Sequence, residues 1–233
     1  MIRKHIPNAL TCSNLLCGCI GVVEAFHGNL LLSCVLIALA LIFDFFDGFA
    51  ARLLGVSSPI GRDLDSLADM VTFGLLPSII VFQLLMKSIP ELRDIWMAYP
   101  AFTIAIFSAL RLAKFNNDPR QSQGFIGLPT PANGILIASL PIILESASPE
   151  VSAFILNTRN LLLFTGLMSY LLVAEIPLIA LKFKSFGWST NQARYLLIGG
   201  SALLLILLQV QAIPIIILYY LLLSLWNNTI KKN

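Results

Sequence analysis

DFFDGFAARLLGVSSPIGRDLDSLAD, residues 44–69, holds five aspartates and two arginines between two long apolar runs. Ionisable groups at membrane depth are costly and mark function by default. On a helix, residues three and four apart share a face. Asp44, Asp47, Gly48 and Ala51 therefore form one stripe, with Arg52 beside it. Gly61, Asp65 and Asp69 form a second stripe, and Asp63 falls off it. Gly55–Val56–Ser57–Ser58–Pro59 supplies a tight turn between the two helices. If the helices pack side by side, four carboxylates converge, while Arg62 and Asp63 read as solvated charges.

The flanking runs set the fold class. The chain has 233 residues, is 58% hydrophobic and only 12% charged, with a mean hydropathy of +0.86. Soluble domains carry about 25% charged residues, and one globular core cannot hide so much apolar surface. The expected fold is an all-α, polytopic helical bundle with lipid as its outer solvent. Basic tracts interleaved with aromatics are missing from the sequence, which excludes nucleic acid as a partner. Cys12, Cys17, Cys19 and Cys34 lie inside apolar runs without nearby histidines and read as small core residues, not disulfides or metal ligands. His5 and His27 sit at span ends and read as interfacial.

About eight transmembrane helices are expected, at about 9–26, 29–46, 67–86, 97–112, 128–144, 160–181, 195–210 and 213–225. Lys and Arg favour the cytoplasmic side. With both termini cytoplasmic, the inner faces hold Arg3, Lys4, Arg52, Arg62, Arg111, Lys114, Arg120, Lys182, Lys184, Arg194, Lys231 and Lys232. Only Lys87, Arg93 and Arg159 fall outside. The expected location is the cytoplasmic membrane, multi-pass, with the 44–69 stretch facing the cytoplasm.

Four converging carboxylates repel one another unless cations neutralise them. Oxygen-rich clusters suit hard divalent ions, Mg²⁺, Mn²⁺ or Ca²⁺. Gly48, Ala51 and Gly61 remove bulk on the same faces, and Arg52 offers a donor fork suited to phosphate. Together these features point to phosphoryl transfer.

The pattern D-x2-D-G-x2-A-R-x8-G-x3-D-x3-D, filled here by Asp44, Asp47, Gly48, Ala51, Arg52, Gly61, Asp65 and Asp69, resembles the signature of the CDP-alcohol phosphatidyltransferases. The segments IPNALTCSNLLCG, RLAKFN and GFIGLPTPANG resemble the phosphatidylserine synthase branch of that family. The resemblance implies that Asp44, Asp47, Asp65 and Asp69 hold two divalent metals, Mg²⁺ or Mn²⁺. It implies that Gly48, Ala51, Arg52 and Gly61 shape a nucleotide and phosphate pocket. Asp69 would also be the catalytic base. CDP-diacylglycerol and L-serine would be the substrates, with phosphatidylserine and CMP as products. It further implies a single membrane-embedded domain over 1–233, with a six-helix core to about 182 and two added helices over about 193–226. A homodimer is expected on the same ground.

The flanking segments have readings of their own. Asn8, Thr11 and Asn14 recur along one side of the first span, either bonding a nucleotide or serving as a cap and as interhelical glue. Arg111 and Lys114 end the fourth span, where they bind an acceptor's phosphate or carboxylate or simply join the inner positive belt. GLPTPANG makes an irregular entry to the fifth span, and such backbone borders cavities. Glu175 reads as deep in the sixth span, beside Pro177. Two rivals accompany the serine reading. One keeps the chemistry with glycerol phosphate or inositol phosphate as acceptor, or an ether lipid as donor. The other is a divalent-cation transporter, whose site is expected near the bilayer midplane instead.

Overall fold

The structure, a computed structural model, describes residues 5–56, 58–89, 91–122, 124–181 and 187–230. Arg3, Lys4, Lys182, Lys184, Lys231 and Lys232 of the charge asymmetry, and Ser57 of the turn, lie outside the described residues.

Helix α1 (Ile6–Phe26) turns at Gly28 into α2 (Leu30–Leu54). Gly28 has φ +82°, which suits a residue without Cβ, and Asn29 caps α2 by accepting from the Leu32 N–H. Helix α2 stops at Gly55, again left-handed at φ +62°, where the Val56 N–H returns to the Ala51 carbonyl. Ser58 then caps α3 (Pro59–Asp69) by accepting from the Gly61 N–H, and Pro59 takes the first turn. Helix α3 passes through a π-helical segment, Met70–Leu75, into α4 (Leu76–Ser88).

A 3-10 segment, Leu92–Phe102, leads into α5 (Thr103–Asn117). Strand β1 (Phe125–Ile126) precedes α6 (Thr130–Ser146), α7 (Pro149–Ile155) and α8 (Thr158–Val173). Strand β2 (Pro177–Leu178) pairs antiparallel with β1, Phe125 opposite Leu178 and Ile126 opposite Pro177. Helix α9 (Trp188–Leu208) and helix α10 (Ala212–Ile230) close the chain.

The bundle is built around the helix that carries Asp65 and Asp69. Two-thirds of its apolar window, 67%, is buried, against 33% for α1 and 6% for the C-terminal stretch. Phe73, Leu76, Ile80, Leu84 and Leu85 fill the core from this helix. Helix α1 approaches it through small residues: a Cβ on Gly18 would come within 2.4 Å of Thr72 Oγ1, and one on Gly21 within 2.4 Å of a Leu76 methyl. Thr72 Oγ1 donates to the Asn14 carbonyl at 3.1 Å, and Ser33 Oγ donates to that of Gly21 at 2.9 Å.

The all-helical architecture with several membrane-spanning helices is as expected. Five helices among the described residues are long and apolar enough to cross a membrane, or six if α7 and α8, bent by 57°, form one span. Helix α6 has only 17 residues. The stretch Thr190–Thr229 passes as one, yet it breaks at Gln209–Gln211, where Gln209 has φ 50°. Tyr219 Oη donates back to the Leu196 carbonyl, so α10 folds against α9. The sixth expected span is also shorter, because α8 ends at Val173 and Pro177 lies in β2. Proline cannot continue a helix and pushes its predecessor into extended backbone.

Candidate active site

Both signature stripes lie on helices, α2 and α3, and their acids come together. Asp44, Asp47 and Asp65 each offer one carboxylate oxygen, and these three atoms lie within 4.8 Å of one another. Oxygens around one hard cation at about 2.1–2.5 Å stand about 3–5 Å apart, so the donor set fits a divalent ion. Asp69 lies outside that triad but beside it, in side-chain contact with Asp44.

Helix α1 holds the carboxylates from behind. Thr11 Oγ1 donates to Asp47 Oδ2 at 2.6 Å, and Asn14 Nδ2 donates to Asp69 Oδ1 at 3.2 Å. Asn14 is fully buried. Thr11 and Asn14 thus act as interhelical partners of the acids. Asn8 does not cap α1, whose N-cap is His5; its Oδ1 stands 3.3 Å from the Cβ that Gly61 lacks. Asp65 Oδ1 is buried and finds no hydrogen-bond partner among the described residues. A buried carboxylate oxygen without a partner, on a residue of the triad, fits a role as a cation ligand.

A cavity of about 760 Å³ opens beside the acids, within the size range of small-ligand sites. Asp47, Gly48, Ala51, Gly61 and Asp65 line it, with Asn8 and Thr11 from α1. The Arg52 guanidinium folds over Gly48: both terminal nitrogens stand 3.9 Å from where a Cβ would be. Arg62 also lines this cavity, although as a charge next to Asp63 it reads as merely solvated. The signal was present: Ser58, Arg62, Asp65 and Asp69 follow a 4-3-4 spacing along one helix face. Asp63 itself is exposed.

Arg111 and Lys114 lie elsewhere, in a second cavity of about 370 Å³ shared with Arg120, Ile126 and Glu175. Arg111 is only 5% exposed. Its guanidinium stacks over Phe115 at 5.0 Å and Phe125 at 6.0 Å, and Nη1 donates to Thr130 Oγ1 at 3.5 Å. Its Nε is buried without a partner among the described residues. Asp69 and Tyr220 are near enough to feel its charge. GLPTPANG supplies Thr130, which the Arg111 guanidinium reaches, and the left-handed Gly127; the cavity wall itself takes Ile126, directly before this segment, and none of residues 127–134.

Glu175 stands outside the helix, its side chain 71% exposed and 3.9 Å from Arg120. Arg120 grips Asp118 with paired bonds down to 2.7 Å, which hold the Asp118 carboxyl below the usual carboxylate range.

The family model for CDP-alcohol phosphatidyltransferases matches residues 4–183. A CDP-diacylglycerol–serine O-phosphatidyltransferase of Bacillus subtilis (strain 168) is 33% identical over 173 residues, 74% of this chain and 89% of the relative. One of the same name from Helicobacter pylori (strain J99) is 34% identical over 186 residues, 78% of this chain and 74% of the relative. The archaetidylserine synthase of Methanothermobacter thermautotrophicus is 29% identical over 165 residues, 70% of this chain and 68% of the relative. With its signature acids gathered at one site and a match over three-quarters of its length, the chain belongs to the CDP-alcohol phosphatidyltransferase family.

Proposed function

We propose that this protein transfers a phosphatidyl group from CDP-diacylglycerol to L-serine, releasing phosphatidylserine and CMP. The observation that carries the reading is the meeting of Asp44, Asp47 and Asp65 beside a cavity of about 760 Å³, with Asp69 adjoining. The acceptor follows from the relatives: serine is common to the bacterial and archaeal names, whereas the lipid is not.

Asp44, Asp47 and Asp65, with Asp69, would hold two divalent ions, Mg²⁺ or Mn²⁺. Bound there, the ions neutralise charge on the diphosphate and on the departing CMP. Gly48, Ala51 and Gly61 leave the helix surface open so that the diphosphate can approach, and Arg52 and Arg62 offer donors to its oxygens. Asn14 fixes Asp69 through Oδ1, which leaves Oδ2 to take the proton from the serine hydroxyl. The serine oxygen then bonds to the lipid-side phosphorus, and the bond from that phosphorus to CMP breaks with its electron pair. Arg111 and Lys114 would receive the serine carboxylate at the second cavity. The cytoplasmic orientation rests on the Lys and Arg asymmetry, and the homodimer on the family resemblance.

Purified protein with CDP-diacylglycerol, Mg²⁺ or Mn²⁺ and single labelled acceptors tests the reading. Labelled phosphatidylserine is expected, and a chelator should remove it. Product only from glycerol phosphate or inositol phosphate would overturn the acceptor. Metal uptake into vesicles without any lipid product would favour a transporter.

Thr11 gives a finer test of the metal site. Thr11→Val keeps the shape and deletes the 2.6 Å bond that orients Asp47. Partners of metal ligands are worth roughly 10–100-fold in metal affinity. The Mg²⁺ concentration for half-maximal activity should rise by at least roughly tenfold, and recover at high Mg²⁺.

A further inference from the structure

The family match ends at residue 183, yet α9 and α10 beyond it bind residues 177–180, the segment whose strand pairs with the one that carries Ile126 of the second cavity's wall. Tyr220, Ser224 and Asn228 lie on one face of α10 at i, i+4 and i+8. Tyr220 Oη donates to the Ile179 carbonyl at 3.0 Å. Ser224 Oγ accepts from the Ile179 N–H at 3.2 Å. Asn228 Nδ2 donates to the Pro177 carbonyl at 2.6 Å. From α9, Arg194 Nε donates to the Ala180 carbonyl at 2.9 Å. Four backbone groups of residues 177–180 are thus satisfied by the hairpin's side chains.

This segment needs such support. It begins with β2, whose only strand partner among the described residues is the two-residue β1. Even a longer isolated pair of strands is marginal. Strand β1 in turn places Phe125 on the Arg111 guanidinium and Ile126 in the cavity wall. A continuous path of bonds and packing therefore runs from α10 through β2 and β1 to Arg111.

We infer that the C-terminal hairpin is a clamp that sets the shape of the Arg111–Lys114 cavity, with Tyr220 and Asn228 as positioning residues for acceptor binding. The inference rests on the reading of that cavity as the acceptor side. Tyr220, Ser224 and Asn228 are not among the residues that line the larger cavity, and their described bonds go to residues 177–179, so the clamp should act on one substrate only.

The test uses full-length protein in detergent, with the Tyr220→Phe/Asn228→Ala double variant and Lys114→Ala in parallel. Each lost hydrogen bond is worth roughly threefold to fivefold. The KM for L-serine should rise roughly tenfold in the double variant, with the KM for CDP-diacylglycerol unchanged and amide exchange faster at 125–128 and 176–180. An unchanged serine KM overturns the clamp, whatever the exchange rates. A parallel rise in both KM values overturns it too, since that reports general loosening. If Lys114→Ala leaves the serine KM unchanged while the double variant raises it, the clamp stands and the role given to Lys114 falls. Should the double variant not fold, Tyr220→Phe alone, which removes one oxygen, is read the same way.

Discussion

Asp69→Asn will cut phosphatidyl transfer by roughly 10²–10⁴-fold, the usual worth of a positioned general base, and leave the protein folded. The substitution is isosteric. The amide keeps an Oδ1 to accept from Asn14 Nδ2, so the 3.2 Å bond survives. What is lost is the oxygen that takes the proton, together with one negative charge beside the metal site. CMP release with serine and CDP-diacylglycerol reads the rate, and thermal denaturation reads the fold. Asp65→Asn should behave differently. Asp65 belongs to the triad within 4.8 Å, so its loss weakens metal binding and high Mg²⁺ should restore part of the rate. Metal cannot replace a missing proton acceptor, so Asp69→Asn should stay inactive at any Mg²⁺ concentration. A fall of less than tenfold would move the base to another residue.

The legible part of this site is the part that helical periodicity fixes. Asp44 and Asp47 sit on α2 and Asp65 and Asp69 on α3, each pair on uninterrupted helix, so spacing alone assigns their faces and leaves Asp63 outside. Other facts lie beyond that reach. Thr11 and Asn14 are visible as a polar stripe, but which groups they meet depends on how α1 crosses α2 and α3. Arg62 was passed over because an exposed charge beside another charge is usually solvated, although its spacing from Asp65 put it on the working face. Glu175 was misplaced because an apolar run continues to Leu181, while the helix stops at Val173 and Pro177 turns the chain into β2. Hydropathy finds apolar segments; it does not say where one of them bends, as at 155–158 and 209–211. The π-helical turn at Met70–Leu75 is likewise silent in composition. It lies directly after Asp69, and such turns gather at functional sites.

Gly127→Ala is expected to be the most damaging single-methyl change in the chain. Gly127 has φ +77°, a region that costs an L-residue roughly 1–2 kcal/mol. The added Cβ would also stand 2.6 Å from the Leu172 carbonyl oxygen, 3.1 Å from that of Ala174 and 3.2 Å from that of Leu171. These are backbone atoms at the end of α8, so no side chain can swing aside. Relief requires β1 to move away from α8, which breaks the bonds from Gly127 N–H to Ile176 and from Leu128 N–H to Leu171. Strain and lost bonds together amount to roughly 3 kcal/mol or more. With the exposed Cys12 and Cys19 replaced by serine, unfolding can be followed by maleimide reaction at Cys17 and Cys34, which are buried in the core. A much lower unfolding temperature is expected, and serine binding should weaken before the fold fails, because Ile126 and Phe125 are the first groups displaced. Gly28→Ala is the control: its φ is +82°, but nothing lies within 4 Å of the added Cβ. It carries the conformational cost without the collision, so the difference between the two variants isolates the contact with α8. Equal losses in both would show that backbone conformation alone, and not the fit of β1 against α8, demands glycine at position 127.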